Sequence, residues 1–178
     1  MAMEALGRQF DISAGTINVD VNTAGATGKR VSLRNCAAVT VVIIAPATAG
    51  AEDLVFTVKQ HTASAGGTSN NLSNAAVSGT RGIDHYYTKA AATLAGTETW
   101  TRVSQTEAAT VTLLGATYAT SQVIAVIPVL ETQLADGYAY ISVDTADPGA
   151  TARVISILYI PHDLVVARKA TNLAAALS

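Results

Sequence analysis

The chain contains 178 residues, of which 49 % are hydrophobic, 13 % are charged and only 5 % are aromatic. This hydrophobicity excludes an intrinsically disordered chain, which combines few apolar residues with a high net charge. The net charge of −2 comes from scattered residues, so no basic patch for nucleic acid and no polybasic membrane-binding segment is present. The length predicts one folded domain.

Neither a secretory signal nor a membrane span is expected. Glu4 lies in the first fifteen residues, which contain no apolar core of the kind that signal peptides carry. The longest apolar run, residues 37–49, is interrupted by Pro46 and by threonines, and it is too short to cross a bilayer. The single cysteine, Cys36, cannot form an internal disulfide or a cysteine-rich metal site. We therefore expect a protein made in the cytoplasm that binds neither membrane nor nucleic acid.

Alternation of apolar and polar residues with a period of two dominates the chain and predicts β-strands. In the first strand the alternation directs Ile17, Val19 and Val21 toward the core. The predicted strands are residues 16–21, 30–34, 39–44, 54–60, 83–89, 99–104, 109–114, 121–130, 138–143 and 153–160.

Four of these segments carry more specific predictions. Residues 39–44 are apolar on both faces, which predicts a central strand covered on both sides and ended by Pro46. Pro128 lacks the N–H that a strand needs, so we expect it at an edge or a bulge. Pro161 is expected to end the last strand. In the fourth strand Leu54, Phe56 and Val58 face inward.

The remaining segments predict loops and arms around a single sandwich domain, residues 16–161. Residues 62–82 form a long polar loop without an apolar period, and residues 131–136 can close one helical turn. Residues 1–15 and 162–178 flank the strands and are predicted to be extended N- and C-terminal arms. The fold class is therefore all-β, an antiparallel two-sheet β-sandwich or jelly roll.

The sequence contains few candidate catalytic residues. Asp84 with His85 and His162 with Asp163 each place a carboxylate beside an imidazole, as general base catalysis requires. Neighbouring residues on a strand point to opposite faces, however, so we expect neither pair to form a working dyad. No spacing matches a zinc, calcium, phosphate-loop or nucleophile-elbow motif. We predict no catalytic, cofactor-binding or metal-binding residue, and therefore no enzyme.

Aromatic residues offer one alternative to this chemically inert interpretation. Trp100, Tyr86, Tyr87, Tyr138 and Tyr140 could form a platform on which a sugar ring stacks. Tyr86, Tyr87 and Trp100 are the candidate site residues of this platform. The competing interpretation is that Trp100 anchors the core of a sandwich that has few aromatic residues.

Four segments carry a resemblance to a known family. They are GKRVSLRN (28–35), VFTVKQHTASAGGTSNNL (55–72), IDHYYTKAAATLAGTETWTRV (83–103) and ILYIPHDLVVARKATNLAAALS (157–178). Together they resemble a family of small virion structural proteins of tailed bacteriophages, over essentially the whole chain. The resemblance implies a non-enzymatic virion component, most specifically a capsid decoration (cement) protein that clamps major capsid subunits. It implies no catalytic or ligand-binding residue.

This resemblance implies that the partners are the major capsid protein and copies of the chain itself, which would form a homotrimer. The candidate interface residues are the apolar side chains of the two arms: Met1, Leu6, Phe10, Leu164, Val165, Val166, Leu173 and Leu177. Two alternatives remain open, namely a neck, collar or tail component of the same virion and a carbohydrate-binding adhesion module.

Overall fold

The computed structural model describes residues 5–22, 24–72, 81–149 and 151–173. Within these ranges helix is limited to α1 (Gly115–Tyr118) and two 3₁₀ turns (Glu131–Gln133 and Ala170–Asn172). The strands are β1 (Ser13–Asp20), β2 (Val31–Ser32), β3 (Cys36–Ala45), β4 (Leu54–His61), β5 (Ser69–Asn71), β6 (Ile83–Ala91), β7 (Thr101–Ala108), β8 (Thr110–Leu113), β9 (Gln122–Leu130), β10 (Tyr140–Thr145) and β11 (Val154–Leu164).

The strands form two antiparallel sheets. The larger sheet has six strands in the order β1-β11-β3-β9-β6-β7, and the smaller one has the order β2-β10-β4-β5, with β8 also paired to β4. Fully buried residues of both sheets make a single hydrophobic core. These observations confirm the prediction of an all-β, antiparallel two-sheet sandwich.

Alternation sorts the straight strands as predicted. Leu54, Phe56 and Val58 of β4 are fully buried, and so are the inward residues of β3 and β9. At about 25 cal/mol per Å² of apolar surface, burying each such side chain contributes roughly 2 kcal/mol. The predicted turn at residues 131–136 is also present, as the 3₁₀ turn Glu131–Gln133.

Tyr159 of β11 connects the two sheets through the core. It is fully buried, and its hydroxyl oxygen accepts a hydrogen bond of 3.0 Å from the backbone N–H of Val143 in β10. Val143 lies opposite Val58, whose own backbone groups bond to Ala109 and Leu72. The N–H of Val143 therefore points away from β4, toward the side where the short strand β2 has already ended.

Two glycines make room for Tyr159. A Cβ atom on Gly15 would lie 2.7 Å from the tyrosine ring, and one on Gly28 would lie 2.2 Å from the carbonyl oxygen of Val143. Both positions therefore require glycine, because the ring and the backbone of the opposite sheet occupy the space of any side chain.

The predicted burial of β1 is wrong for two residues. Ile17 is 53 % exposed and Val19 is 37 % exposed, whereas Thr16 and Val21 are buried. The pairing of β1 with β11 shifts register twice, between Ala14 and Thr16 and between Thr16 and Val19. Each β-bulge adds a residue and reverses the alternation, so the sequence period no longer reports the buried face.

The prolines behave differently from one another. Pro46 follows the end of β3 as predicted, but Pro161 does not end β11, which continues to Leu164. The carbonyl oxygen of Pro161 accepts a hydrogen bond from the N–H of Asp11, so the missing donor faces an irregular terminal segment rather than a strand. The prediction that β3 is covered on both sides is also wrong, because Ile44 is 42 % exposed.

The predicted long loop is partly a hairpin. β5 pairs with the end of β4, and Leu72 immediately after it is fully buried. Arg30 donates hydrogen bonds to the carbonyl oxygens of Ala63 and Gly66, which holds the hairpin turn against the sheet. Residues 73–80 of the predicted loop lie outside the described residues.

The described parts of the two predicted arms pack against each other on the same chain. Phe10 bridges to His162, Gln9 accepts from the N–H of Asp163, and Gly7 accepts from the N–H of Arg168 at 2.7 Å. The arm boundaries also differ from the prediction, because β1 begins at residue 13 and β11 ends at residue 164.

We expect Tyr159→Phe to lower the free energy of unfolding by about 1–3 kcal/mol, because it leaves the buried N–H of Val143 without an acceptor. Chemical denaturation measures the loss. Tyr87→Phe, which changes a partly exposed tyrosine of β6, is the matched control and should change stability by less than about 0.5 kcal/mol. Equal effects of the two variants would contradict the role assigned to Tyr159.

Gly7→Ala should release the C-terminal segment without unfolding the sandwich. Gly7 has a φ of +82°, and a Cβ there would lie 2.6 Å from the carbonyl oxygen of Arg168. Trypsin should therefore cleave at Arg168 and Lys169 faster than in the unmodified protein. Gly137→Ala is the control, since Gly137 has a φ of +84° with nothing within 4 Å of the added Cβ. If both variants are cleaved at the same rate, the contact with Arg168 does not hold the segment.

Candidate functional site

Asp84 and His85 form a direct contact that the sequence argument excluded. The Nδ1 atom of His85 lies 2.6 Å from Oδ1 of Asp84, and the pKa of that carboxyl is lowered chiefly by this hydrogen bond. The expectation of opposite faces fails because β6 shifts register against β7 between Ile83 and His85. The extra residues of this irregularity lie in β7, and Asp84 and His85 are both on the exposed side of β6, between the buried Ile83 and Tyr86.

The second pair also forms, although β11 keeps a regular register against β3 at this point. His162 Nδ1 lies 2.9 Å from Oδ2 of Asp163, whose φ of +55° takes it out of regular strand geometry. The expectation that neighbouring side chains diverge is wrong here too. The two pairs do not combine into one site, because β3 and β9 lie between β11 and β6 in the sheet.

A cleft of 620 Å³ opens beside Asp84 and His85. It lies where β6 and β9 separate, since their pairing runs from Ala91–Gln122 only as far as Tyr87–Val126. Pro128 lines the cleft and pairs with Thr40 on the other side of β9. The expectation of an edge strand or a bulge is therefore wrong. Pro128 lies within the central strand β9, just beyond the point where β6 stops pairing with it.

Gln133 bridges the separated strands at the far end of the cleft. Its amide donates to the carbonyl oxygen of Gly82 at 3.0 Å, and its Oε1 accepts from the N–H of Leu130 at 2.8 Å. The Gln133 side chain therefore replaces backbone hydrogen bonds that β6 and β9 no longer make with each other. Because Leu130 directs its N–H toward the cleft, Pro128 two residues earlier faces the same side and has no N–H to offer.

The outward residues of β6 and β7 form a ladder that continues from the cleft. His85 lies opposite Ser104, and Tyr87 lies opposite Arg102. The Lys89 ammonium lies 4.8 Å from the centroid of the Trp100 ring, a cation–π contact. We call these six side chains, which extend from the cleft to Trp100, the hairpin ladder.

The position of Trp100 in the hairpin ladder distinguishes between the two interpretations of the aromatic residues, a sugar-binding platform and a core anchor. Trp100 is 49 % exposed and does not anchor the core. Together with Tyr87 and Val126 it lines a shallow hollow of 250 Å³. Tyr86 points the other way, is 5 % exposed and donates to the carbonyl oxygen of Thr112, so it cannot belong to an exposed platform.

The six-stranded sheet has an apolar outer face. Among the described outward positions of its central strands β11, β3 and β9, the one charged residue is Asp163, near the end of β11. A hollow of 380 Å³ lies on it, lined in part by Ile44 and Ile124. We define the outer face by these outward residues: Val42, Ile44, Ile124, Val126, Pro128, Leu130, Leu158 and Ile160.

The predicted interface residues of the arms are exposed to different extents. Val165 is 75 % exposed, Val166 48 % and Leu6 39 %. Phe10, Leu164 and Leu173 are partly buried. Met1 and Leu177 lie outside the described residues.

The described part of the chain was also examined for a metal site, a membrane-spanning helix and a reactive cysteine. No group of three or more His, Cys, Asp or Glu side chains there is arranged to hold a metal ion. None of the described helices is long and apolar enough to cross a membrane. Cys36 is buried, as the sequence predicts, and burial raises the pKa of its thiol to about 11.

His61 was not among the candidate residues identified from the sequence, yet it is the histidine whose pKa departs clearly from its ordinary value. It is 4 % exposed, with Nδ1 2.7 Å from the hydroxyl of Ser69 and Nε2 2.9 Å from that of Ser142. Burial, aided by the charge of Arg30, lowers its pKa to about 4. Because both ring nitrogens bond within the protein, His61 holds the β4–β5 hairpin to β10.

Comparisons with protein-family models, with curated proteins and with solved structures find no match to this chain.

The low pKa of His61 predicts acid destabilisation. Protonation favours the unfolded chain below the ordinary pKa of 6.5, so stability present above that pH is lost as the pH falls toward 4. The loss is on the order of 3 kcal/mol. Urea denaturation at both pH values should show it in the unmodified protein and much less of it in His61→Gln. His162→Gln is the control and should keep the full dependence; a pH profile unaltered by His61→Gln would contradict the assignment.

Proposed function

We propose that this protein is a non-enzymatic structural component of a bacteriophage particle, most specifically a capsid decoration protein that binds the major capsid shell. The observation that carries the proposal is the outer face. An antiparallel sheet with one solvated face normally alternates between apolar inward and polar outward residues. In β3 and β9, by contrast, most outward residues are apolar too, and Thr40 and Gln122 are the polar exceptions.

The occupant of the outer face is a subunit of the shell or a neighbouring copy of this chain. Contiguous exposed apolar surface rimmed by polar groups is typical of protein interfaces. The register supports continuity, because Ile44 lies opposite Ile124 and Val42 lies between Leu158 and Val126. A face without carboxylates or ammonium groups can be desolvated without the penalty of burying an unpaired charge.

The exposed apolar residues of the terminal segments supply a second contact region. Val165 and Val166 project from the C-terminal segment, which the N-terminal segment holds at Gly7. Two modest contact regions on one subunit, repeated over many copies, bind a lattice far more tightly than either does alone.

We also propose that the sandwich is a jelly roll with a three-strand insertion, β5 to β7. Eight strands remain when the insertion is set aside. The first of them pairs with the eighth, the second with the seventh, the third with the sixth and the fourth with the fifth. This pairing is that of a long antiparallel ribbon rolled into two sheets, an architecture common among viral capsid and lectin domains.

The test is reassembly on purified undecorated heads. The protein should bind them and raise their resistance to heat, whereas Ile44→Asp should reduce the affinity about a hundredfold, because it places an unpaired charge in the desolvated contact. Thr110→Asp, at an exposed position of β8, is the control and should bind normally.

Copy number separates the possible positions in the particle. Quantitative mass spectrometry of virions should find the protein in numbers comparable with those of the capsid subunit. Roughly six or twelve copies, with binding to tails rather than heads, would instead indicate a neck or tail ring and overturn the decoration role.

A further inference from the structure

The cleft and the hairpin ladder form one continuous surface. His85 lines the cleft, and its ring packs edge-on against Tyr87 with the centroids 5.5 Å apart. Tyr87 in turn lines the hollow beside Trp100. From His85 to Lys89 the strand rises by about 13 Å, enough for about three linked pyranose rings. We call this surface, from Gln133 to Trp100, the groove.

The groove is polar but electrically balanced. Three cations, Arg81, Lys89 and Arg102, are matched by three carboxylates. Glu107 lines the cleft. Asp84 interacts electrostatically with Arg102, and Glu98 does so with Lys89. A polyanion such as a nucleic acid would meet these carboxylates as well as the cations, so charge does not favour it.

From this combination we infer that the groove binds a neutral oligosaccharide. The apolar face of a pyranose ring directs C–H bonds at the electron-rich face of an aromatic ring. Tyr87 and the side of Trp100 that Lys89 does not cover offer such a face to the hollow. The edge of the same sugar carries hydroxyl groups that both donate and accept hydrogen bonds. Carboxylates, guanidinium groups and the amide of Gln133 line the groove and satisfy both roles.

Packing of the core does not explain the exposure of Trp100. The chain contains only one tryptophan and two phenylalanines, yet the tryptophan lies just before β7, 49 % exposed, and not in the core. The groove shares Val126, Pro128 and Leu130 of β9 with the outer face. The sugar-binding assay and the head-binding assay nevertheless test the two proposals separately.

The experiment uses the full chain and an array of neutral oligosaccharides built from glucose, galactose, mannose and N-acetylglucosamine. At least one should bind, with a Kd on the order of 1 mM or tighter by titration calorimetry. Trp100→Ala should weaken binding at least about tenfold. Glu107→Gln, a change at an exposed carboxylate of the cleft, should weaken it several-fold and tests the groove even if Trp100→Ala fails to fold.

Tyr140→Ala is the matched control. Tyr140 is an aromatic residue of the smaller sheet that also has a cation over its ring, with the Arg34 guanidinium 5.2 Å from the centroid. This variant should bind the sugar as the unmodified protein does. Absence of binding to every neutral oligosaccharide, binding of acidic oligosaccharides or single-stranded DNA alone, or equal losses in the Trp100 and Tyr140 variants would each overturn the inference.

Discussion

The contact between Tyr159 and Val143 is the constraint on which the rest of the sandwich depends. It joins the two sheets at a backbone N–H for which β2 is too short to provide a partner. An unpaired N–H in an apolar core costs about as much as the whole benefit of one buried side chain. The tyrosine must therefore reach across the core, and Gly15 and Gly28 must leave space for it. Because β2 ends before it reaches Val143, the residue type is determined at three positions of the chain, Tyr159, Gly15 and Gly28.

The same geometry determines which surface remains for function. Once Tyr159 directs one face of β11 inward, strict alternation places Leu158 and Ile160 outward, next to the outward residues of β3 and β9. A chain that only needed to fold could carry threonine or lysine at these positions without loss of the core. Their apolar character therefore reflects something other than folding, which is why the outer face and not the core carries the proposal of a shell component.

Alternation predicts the burial of straight strands such as β4, where Leu54 and Phe56 have the expected orientation. It fails wherever the register shifts, because a bulge is a relation between two strands and leaves no periodic mark in either. Ile17 and the Asp84–His85 pair were misjudged for this one reason. The hairpin ladder was beyond prediction for a related reason. Tyr87 and Trp100 were identifiable as candidates, but their alignment with Arg102 and Lys89 follows from cross-strand register, which the residues alone do not specify.

Pro128 shows how one local rule creates a site in this fold. A central strand needs a donor at every second residue toward each neighbour, and Pro128 cannot supply one toward β6. The two strands could have tolerated a single unmatched carbonyl group and stayed together. Instead β6 leaves at Tyr87, a bulge follows beside His85, and Gln133 replaces the ladder at the end. Three separate features thus accompany the separation of β6 from β9, where the proline alone would require only one. The separation is therefore built into the fold rather than tolerated by it, and the polar groups that line it are the ones a ligand would meet first.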